Sequence, residues 1–300
     1  MDRFTRHPLP DTLRIAIVGL GLLGGSVAQG LRASGFSGRI AGHDLQDATL
    51  QAALSAGVID EGAGDPRQLF MDFDLVVLCQ PVDALLQFLA RHRDGLAAGS
   101  ATVLDVASVK APVAAAIAGT PAEQRMVPCH PIAGREVSGV ENADPRLYHD
   151  RQVIITPIER TAQAKVDQAS QLWKALGSDV VIMSPQEHDA AFAAVSHLPH
   201  MLAFALMNSL ASQPEGDKYL KLAGPGFRDF SRIAASDPKM WRDVLIANRE
   251  ELGVQMQHLQ RALSALDKLI AEGRADELER LINRASHARA NWRLRPGAPA

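Results

Sequence analysis

The spacing of hydrophobic positions along this chain changes character near residue 184. Up to that point apolar residues come in short unbroken runs, separated by amphipathic stretches. Seven of these runs read as buried strands: RIAIVGLG (14–21), GRIAGHD (38–44), FDLVVLCQP (73–81), ATVLDVAS (101–108), RMVPCHP (125–131), QVIITP (152–157) and DVVIMS (179–184). LLGGSVAQGLRAS (22–34) and VDALLQFLARHR (82–93), which lie between them, carry helical spacing. Strands that alternate with helices predict an α/β domain with a Rossmann-type, doubly wound parallel sheet. From Pro185 the pattern is helical to about Arg293, apart from a Gly/Pro loop at 224–226. The predicted organisation is therefore an α/β domain over 1–184 and an all-helical domain over 185–300. Long amphipathic helices such as ELGVQMQHLQRALSALDKLIAEG (251–273) need a partner surface, either the first domain or a second subunit.

Composition narrows the class. A chain of 300 residues suits two ordinary domains. Its 31 basic and 34 acidic residues leave a formal charge of -3, and no basic run is long enough to track phosphates, so a nucleic-acid partner is not expected. Cys79 and Cys129 both lie in strand-like runs, as buried thiols in a reducing cytoplasm do. The N-terminal MDRFTRHPLPDTL lacks a signal-peptide core, and the apolar runs read as too short to span a bilayer. A soluble, cytoplasmic protein with no membrane partner is expected.

Gly19-Leu20-Gly21-Leu22-Leu23-Gly24 fits G-x-G-x-x-G between a predicted strand and a predicted helix. In that context the first glycine makes the tight turn and the second lets the backbone approach a pyrophosphate. The third brings helix against strand. The helix start offers unpaired N–H groups and a positive dipole end to phosphates. Asp44, twenty residues after Gly24, is placed for the adenosine ribose hydroxyls. A carboxylate there repels a 2′-phosphate and favours NAD over NADP, although Arg39 and His43 lie close in sequence.

Three polar features fall at predicted strand ends, where such domains bind ligands: Gln80-Pro81, Ser108 in DVASVK, and His130 in CHPIAGRE. Ser108 also reads as the N-cap of a helix starting at Val109. In the helical half, His197 and His200 of SHLPH stand at i and i+3, with Pro199 a possible kink. Arg228 and Arg232 stand four apart in FRDFSRIAASDPKMW, a spacing at which two cations repel unless an anion lies between them. No metal-binding spacing is present, and no metal is expected.

Together GLGLLGGS (19–26), DVASVK (105–110), HPIAGREVSG (130–139), SHLPH and FRDFSRIAASDPKMW resemble the prephenate dehydrogenase family, which includes cyclohexadienyl and arogenate dehydrogenases. The resemblance runs from about Arg14 to Ile270. It implies an NAD(P)-binding α/β domain followed by an all-α dimerisation domain, and hence a homodimer. The implied reaction is NAD-dependent oxidative decarboxylation of prephenate to 4-hydroxyphenylpyruvate, on the route to tyrosine. It also implies that His130 is the catalytic histidine, that Ser108 lies beside substrate and nicotinamide, and that His200 and Arg232 bind substrate; His197 and Arg228, in the same two motifs, are expected to be substrate-binding as well. Arg135 directly follows HPIAG, where many relatives carry a small or neutral residue. A cation there is placed to meet the substrate side chain, which is a keto acid in prephenate and an amino acid in arogenate.

Two rivals remain in the sequence. A 3-hydroxyacid dehydrogenase also joins a Rossmann domain to helices, but it is expected to need a catalytic lysine for which no candidate stands out. An NAD-binding sensor without catalysis would have little use for His130, Ser108, His200 and Arg232 together.

Overall fold

The computed structural model describes residues 9–134, 137 and 139–293. Its contacts divide the chain into two compact units. Among the described residues, one runs through Asp189 and includes Ser236–Ala247; the other comprises Ala190–Ala235 and residues 248–293.

The first unit is built on β1 (Ile15–Val18), β2 (Ile40–His43), β3 (Glu61–Gly62), β4 (Leu75–Leu78), β5 (Thr102–Asp105) and β6 (Met126–Val127). These strands are all parallel, in the order β3-β2-β1-β4-β5-β6. The order reverses between β1 and β4, which is where doubly wound sheets open a ligand crevice at their carboxyl ends. Side chains alternate between two cores. Ile15, Ile17, Leu75, Val77 and Leu104 face one apolar cluster, while Ala16, Val18, Val76, Leu78 and Val103 face the other. A sheet buried on both faces explains why its strands read as continuous apolar runs. Each buried Val, Leu or Ile contributes roughly 1.5–3 kcal/mol of transfer free energy.

The connecting helices are α1 (Leu22–Ala33), α2 (Asp47–Ser55), α3 (Pro66–Asp72), α4 (Val82–Arg91), α5 (Arg93–Ala98) and α6 (Ala111–Ile117). The run predicted as one strand over 125–131 is two strands. Pro128 lacks an N–H and cannot continue the ladder, and its carbonyl instead accepts from the Thr156 N–H at 2.8 Å. After it, β7 (Cys129–Pro131) pairs antiparallel with β8 (Gln152–Ile155), and β8 pairs parallel with β9 (Asp179–Ile182). The last two predicted strands therefore form a separate three-stranded sheet with β7 rather than extending the parallel one. Helix α7 (Gln163–Ala175) joins β8 to β9 and buries Trp173.

From α8 (Pro185–Phe192) the chain passes through a π-helical turn, Ala193–His197, into α9 (Leu198–Ala211). Contrary to the sequence expectation, this 27-residue stretch is long and apolar enough to cross a membrane by length and composition. Its first turns hold fully buried His188 and Asp189 in the α/β unit. Then come α10 (Gly216–Lys221), α11 (Pro225–Ser231), α12 (Pro238–Ala247), α13 (Arg249–Ala271) and α14 (Ala275–Asn291). Within the first unit α12 packs on α4; within the second, α13 packs on the π turn, α9 and α14. Apolar Val254, Leu263, Ile270 and Ile282 on α13 and α14 remain exposed.

Candidate active site

The glycine turn follows β1 directly. Gly19 adopts φ +89°, a conformation that L side chains rarely adopt. A Cβ on Gly24 would stand 1.9 Å from the Gly19 carbonyl oxygen, so no larger residue fits there. A Cβ on Gly21 would meet nothing within 4 Å, which marks open space beside the turn. Helix α1 starts at Leu22 with no side-chain cap and no acidic residue in its first turn, leaving its N–H groups to an anion.

Asp44 follows β2 and braces this turn. Its Oδ2 accepts the Leu20 N–H and its Oδ1 accepts the Gln46 N–H, both at 2.9 Å. Each carboxylate oxygen keeps a further lone pair for a ribose hydroxyl. Arg39 sits before the opposite end of β2 and is paired with Glu61, so it offers no cation for a 2′-phosphate. Beyond β4, the buried Oε1 of Gln80 has no hydrogen-bond partner among the described residues, and its Cγ lies beside Gly19. An open glycine turn, an uncapped helix start, a ribose-type acid and an orphaned amide oxygen are what a dinucleotide requires.

Ser108 lies in the turn after β5. The helix after it starts at Ala111, with Lys110 at the N-cap position, so Ser108 does not cap it. Among the described residues the Ser108 hydroxyl has no hydrogen-bond partner. On either side of it, Asp105 and Lys110 form a fully buried ion pair. The Lys110 ammonium also donates to the Cys129 carbonyl at 2.6 Å. The Asp105 carboxylate accepts the N–H groups of Ala107 (2.9 Å) and Cys129 (3.2 Å). This frame ties the serine turn to β7, in which His130 is the central residue, opposite Ile154. His130 therefore lies within a strand of the second sheet, one proline beyond the parallel sheet where it was expected. Burial pushes the neighbouring Cys129 thiol up to about 12, so it stays protonated.

The His130 Nδ1 lies 2.8 Å from the Nε2 of His188, and the rings meet edge to face. The His188 Nδ1 is 2.7 Å from the Asp189 Oδ1. Both Asp189 oxygens accept backbone N–H groups at the start of α6, from Lys110 at 2.8 Å and Ala111 at 2.7 Å. Burial holds His188 below the ordinary histidine range, against the opposing pull of Asp189. The sequence reading missed Asp105, Lys110, His188 and Asp189. The first two stood in DVASVK, where only the serine drew notice. His188 and Asp189 close a polar run, QEHD (186–189), that reads as the solvated first turn of a helix and so gave no signal of its own.

In the helical unit a π turn ends on His197, the first histidine of SHLPH, and Pro199 falls in the first turn of the α-helix that follows, which carries His200. His197 is buried and hydrogen-bonded through Nδ1 to the Asn248 amide at 2.9 Å. His200 donates from Nδ1 to the Ser196 carbonyl at 2.9 Å. Arg228, on α11, pairs with Asp229 in the exposed region, and Arg232 opens a short 3-10 turn at 232–235. His197 and His200, with Arg228 and Arg232, thus belong to one unit, and the glycine turn, Asp44, Gln80, Pro81, Ser108 and His130 to the other. Arg135 lies outside the described residues. Among the described residues, no group of three or more His, Cys, Asp or Glu side chains is placed to hold a metal ion.

The sheet order, glycine turn and appended helices define a two-unit protein of the dinucleotide-binding class. Comparison with known proteins gives the particular family. Residues 27–182 match the model of the prephenate dehydrogenase nucleotide-binding domain, and residues 184–284 match that of the prephenate dehydrogenase dimerization domain. Prephenate dehydrogenase of Bacillus subtilis is 32% identical over 96% of this chain and 78% of its own length. The crystal structure of Aquifex aeolicus prephenate dehydrogenase, in complex with hydroxyphenyl propionate and NAD+, aligns with a TM-score of 0.85. Its identity is 37%, over 94% of this chain and 99% of that one. Synechocystis arogenate dehydrogenase aligns with a TM-score of 0.78 at 31% identity, over 93% and 99% of the two chains. The chain belongs to the prephenate dehydrogenase family.

Proposed function

We propose that this protein catalyses the NAD-dependent oxidative decarboxylation of prephenate to 4-hydroxyphenylpyruvate, in the formation of tyrosine. The observation that carries the assignment of residues is the buried Asp105–Lys110–Cys129 frame, which couples the turn bearing Ser108 to the strand bearing His130. NAD bound along the Gly19–Gly24 turn and Asp44 supplies a hydride acceptor. His130 is the base: it takes the proton of the substrate hydroxyl as the carbon beneath loses hydride. The ring carboxylate then departs as carbon dioxide, and the electrons of its bond complete the aromatic ring. The phenolate oxygen recovers the proton from His130, so the base is restored within the turnover. A positioned base of this kind contributes roughly 10²–10⁴-fold.

Ser108 brings an uncommitted hydroxyl to orient the substrate hydroxyl. Arg232 and His200 hold the substrate side chain carboxylate, for which a guanidinium fork is well shaped. His197, bonded to Asn248, supports the helix that carries His200. Arg135 contacts the substrate side chain and biases the choice between prephenate and arogenate; the similarity to an arogenate dehydrogenase keeps use of both substrates as the second reading. The exposed apolar positions of α13 and α14 are covered by a second copy in a homodimer, and the enzyme works in the cytoplasm.

The test is a four-way assay of the purified chain with prephenate or arogenate, each with NAD or NADP. The expected result is the fastest NADH formation with prephenate and NAD. Turnover with arogenate alone overturns the prephenate assignment, and turnover with neither substrate overturns the enzymatic one.

A further inference from the structure

A second histidine stands behind the proposed base. His188 is fully buried, and its two ring nitrogens face different partners: Asp189 at Nδ1 and His130 at Nε2. The Asp189 carboxylate already accepts two backbone N–H groups, and as a carboxylate it can only accept. The His188 Nδ1 must therefore carry the hydrogen of that contact. A neutral His188 then has its lone pair on Nε2, and the short contact to His130 forces His130 to donate from its own Nδ1. That leaves the lone pair of His130 on Nε2.

We infer that His188 is the positioning residue that fixes His130 in the one tautomer able to take the substrate proton, and that Asp189 in turn fixes His188. This rests on the reading of His130 as the base. Neither histidine hands its proton further along the chain. The substrate proton goes to the His130 Nε2, and the His130 Nδ1–H stays bonded to the His188 Nε2.

The charges around the pair explain why this arrangement assists the reaction. The charged groups acting on His188 are Asp189 from α8, Asp105 at the end of β5 and Lys110 just before α6. Asp105 and Lys110 neutralise each other, and both Asp189 oxygens accept backbone N–H groups at the start of α6. The Asp189 carboxylate behind His188 compensates part of the positive charge that His130 gains on taking the substrate proton. A buried environment strengthens that compensation relative to water. The same logic operates wherever a carboxylate orients a histidine base from behind. Asp189 also joins the base to the start of α6, so the serine turn and the base share one frame.

Two substitutions separate orientation from mere packing. His188→Asn can still donate to Asp189, but it is too short to reach His130. His188→Gln places an amide oxygen near the old Nε2 and can still accept from His130. The full-length enzyme, with prephenate and NAD, is expected to lose about 10- to 100-fold in kcat in the Asn variant. Gln is expected to recover most of that loss, with similar melting temperatures for both variants and little change in KM. The base limb of the kcat/KM profile should move to lower pH in the Asn variant, because the imidazolium loses its acceptor. NMR of isotope-labelled histidine should find His130 protonated at Nδ1 in the wild type. Equal impairment of the two variants with an unmoved pH profile overturns the proposal in favour of a packing role. A His188→Asn enzyme of wild-type kcat, alongside an inactive His130→Asn, overturns it while leaving His130 as the base. A fully active His130→Asn overturns the base itself.

Discussion

Replacing Lys110 by methionine probes the frame that holds the site together. The ammonium and the Asp105 carboxylate are both completely excluded from solvent, and the ammonium also serves the Cys129 carbonyl. Methionine fills nearly the same length of apolar stem but removes the charge. Asp105 then keeps the Ala107 and Cys129 N–H donors but has no counter-charge. Removing one partner of a buried pair costs about 3–5 kcal/mol, far more than an exposed pair. At about 2–4 °C per kcal/mol for a unit of this size, the melting temperature should fall by roughly 6–20 °C. Urea unfolding followed by circular dichroism gives the free energy, and a thermal melt checks it. Asp105→Asn added to Lys110→Met should restore part of the loss, because the stranded charge is gone. The activity of Lys110→Met should fall by more than its folded fraction explains, since both the Ser108 turn and the His130 strand lose their tie. A Lys110→Met protein within about 1 kcal/mol of wild type would falsify the claim that this pair anchors the site.

Asp44→Asn keeps an acceptor for the Leu20 N–H but removes the charge facing a 2′-phosphate, so NAD preference over NADP should relax by about 1–4 kcal/mol in kcat/KM; unchanged preference would place discrimination elsewhere. Arg232→Ala should raise KM for prephenate with a smaller change in kcat, whereas Arg228→Ala, which loses only an exposed pair with Asp229, should change either by less than about 5-fold; the reverse ranking would exchange their roles. Cys129, buried and held protonated, should resist alkylation in the native enzyme and react on unfolding; rapid native labelling would contradict its burial. Because burial depresses His188 in the folded state, the unfolded chain binds a proton there that the native chain refuses. Its contribution is intact above about pH 6.5 and declines as pH falls through the window below, at up to about 1.4 kcal/mol per pH unit. Urea midpoints between about pH 7 and about pH 5 should show that slope in the wild type and a shallower one in His188→Asn.

The parallel sheet was legible because β1, β4 and β5 are buried on both faces and leave unbroken apolar runs. The glycine turn was equally plain, since a tight turn and a close helix-to-strand approach leave glycine few substitutes. The second sheet was hidden. Nothing in QVIITP or DVVIMS encodes which strand it pairs with, and the decisive event is one proline, Pro128, whose carbonyl turns to Thr156. The site was half legible in the same way. His130 and Ser108 stood out through their motifs, but His188 lies 58 residues beyond His130 and reads locally as the first turn of a helix. Asp105 and Lys110, five residues apart, are drawn together by the turn between them rather than by any helical or strand period. Long-range polar pairs leave no periodicity, so only the folded chain reveals them.

The central claim is that His130 acts as the base in an NAD-dependent oxidation of prephenate. It is tested most directly by following NADH, carbon dioxide and 4-hydroxyphenylpyruvate together in wild-type and His130→Asn protein. The account predicts equal amounts of the three products from wild type, and from His130→Asn a kcat lower by about 10²–10⁴-fold with prephenate binding retained. No NADH from wild-type protein, or a His130→Asn enzyme as fast as wild type, would contradict it.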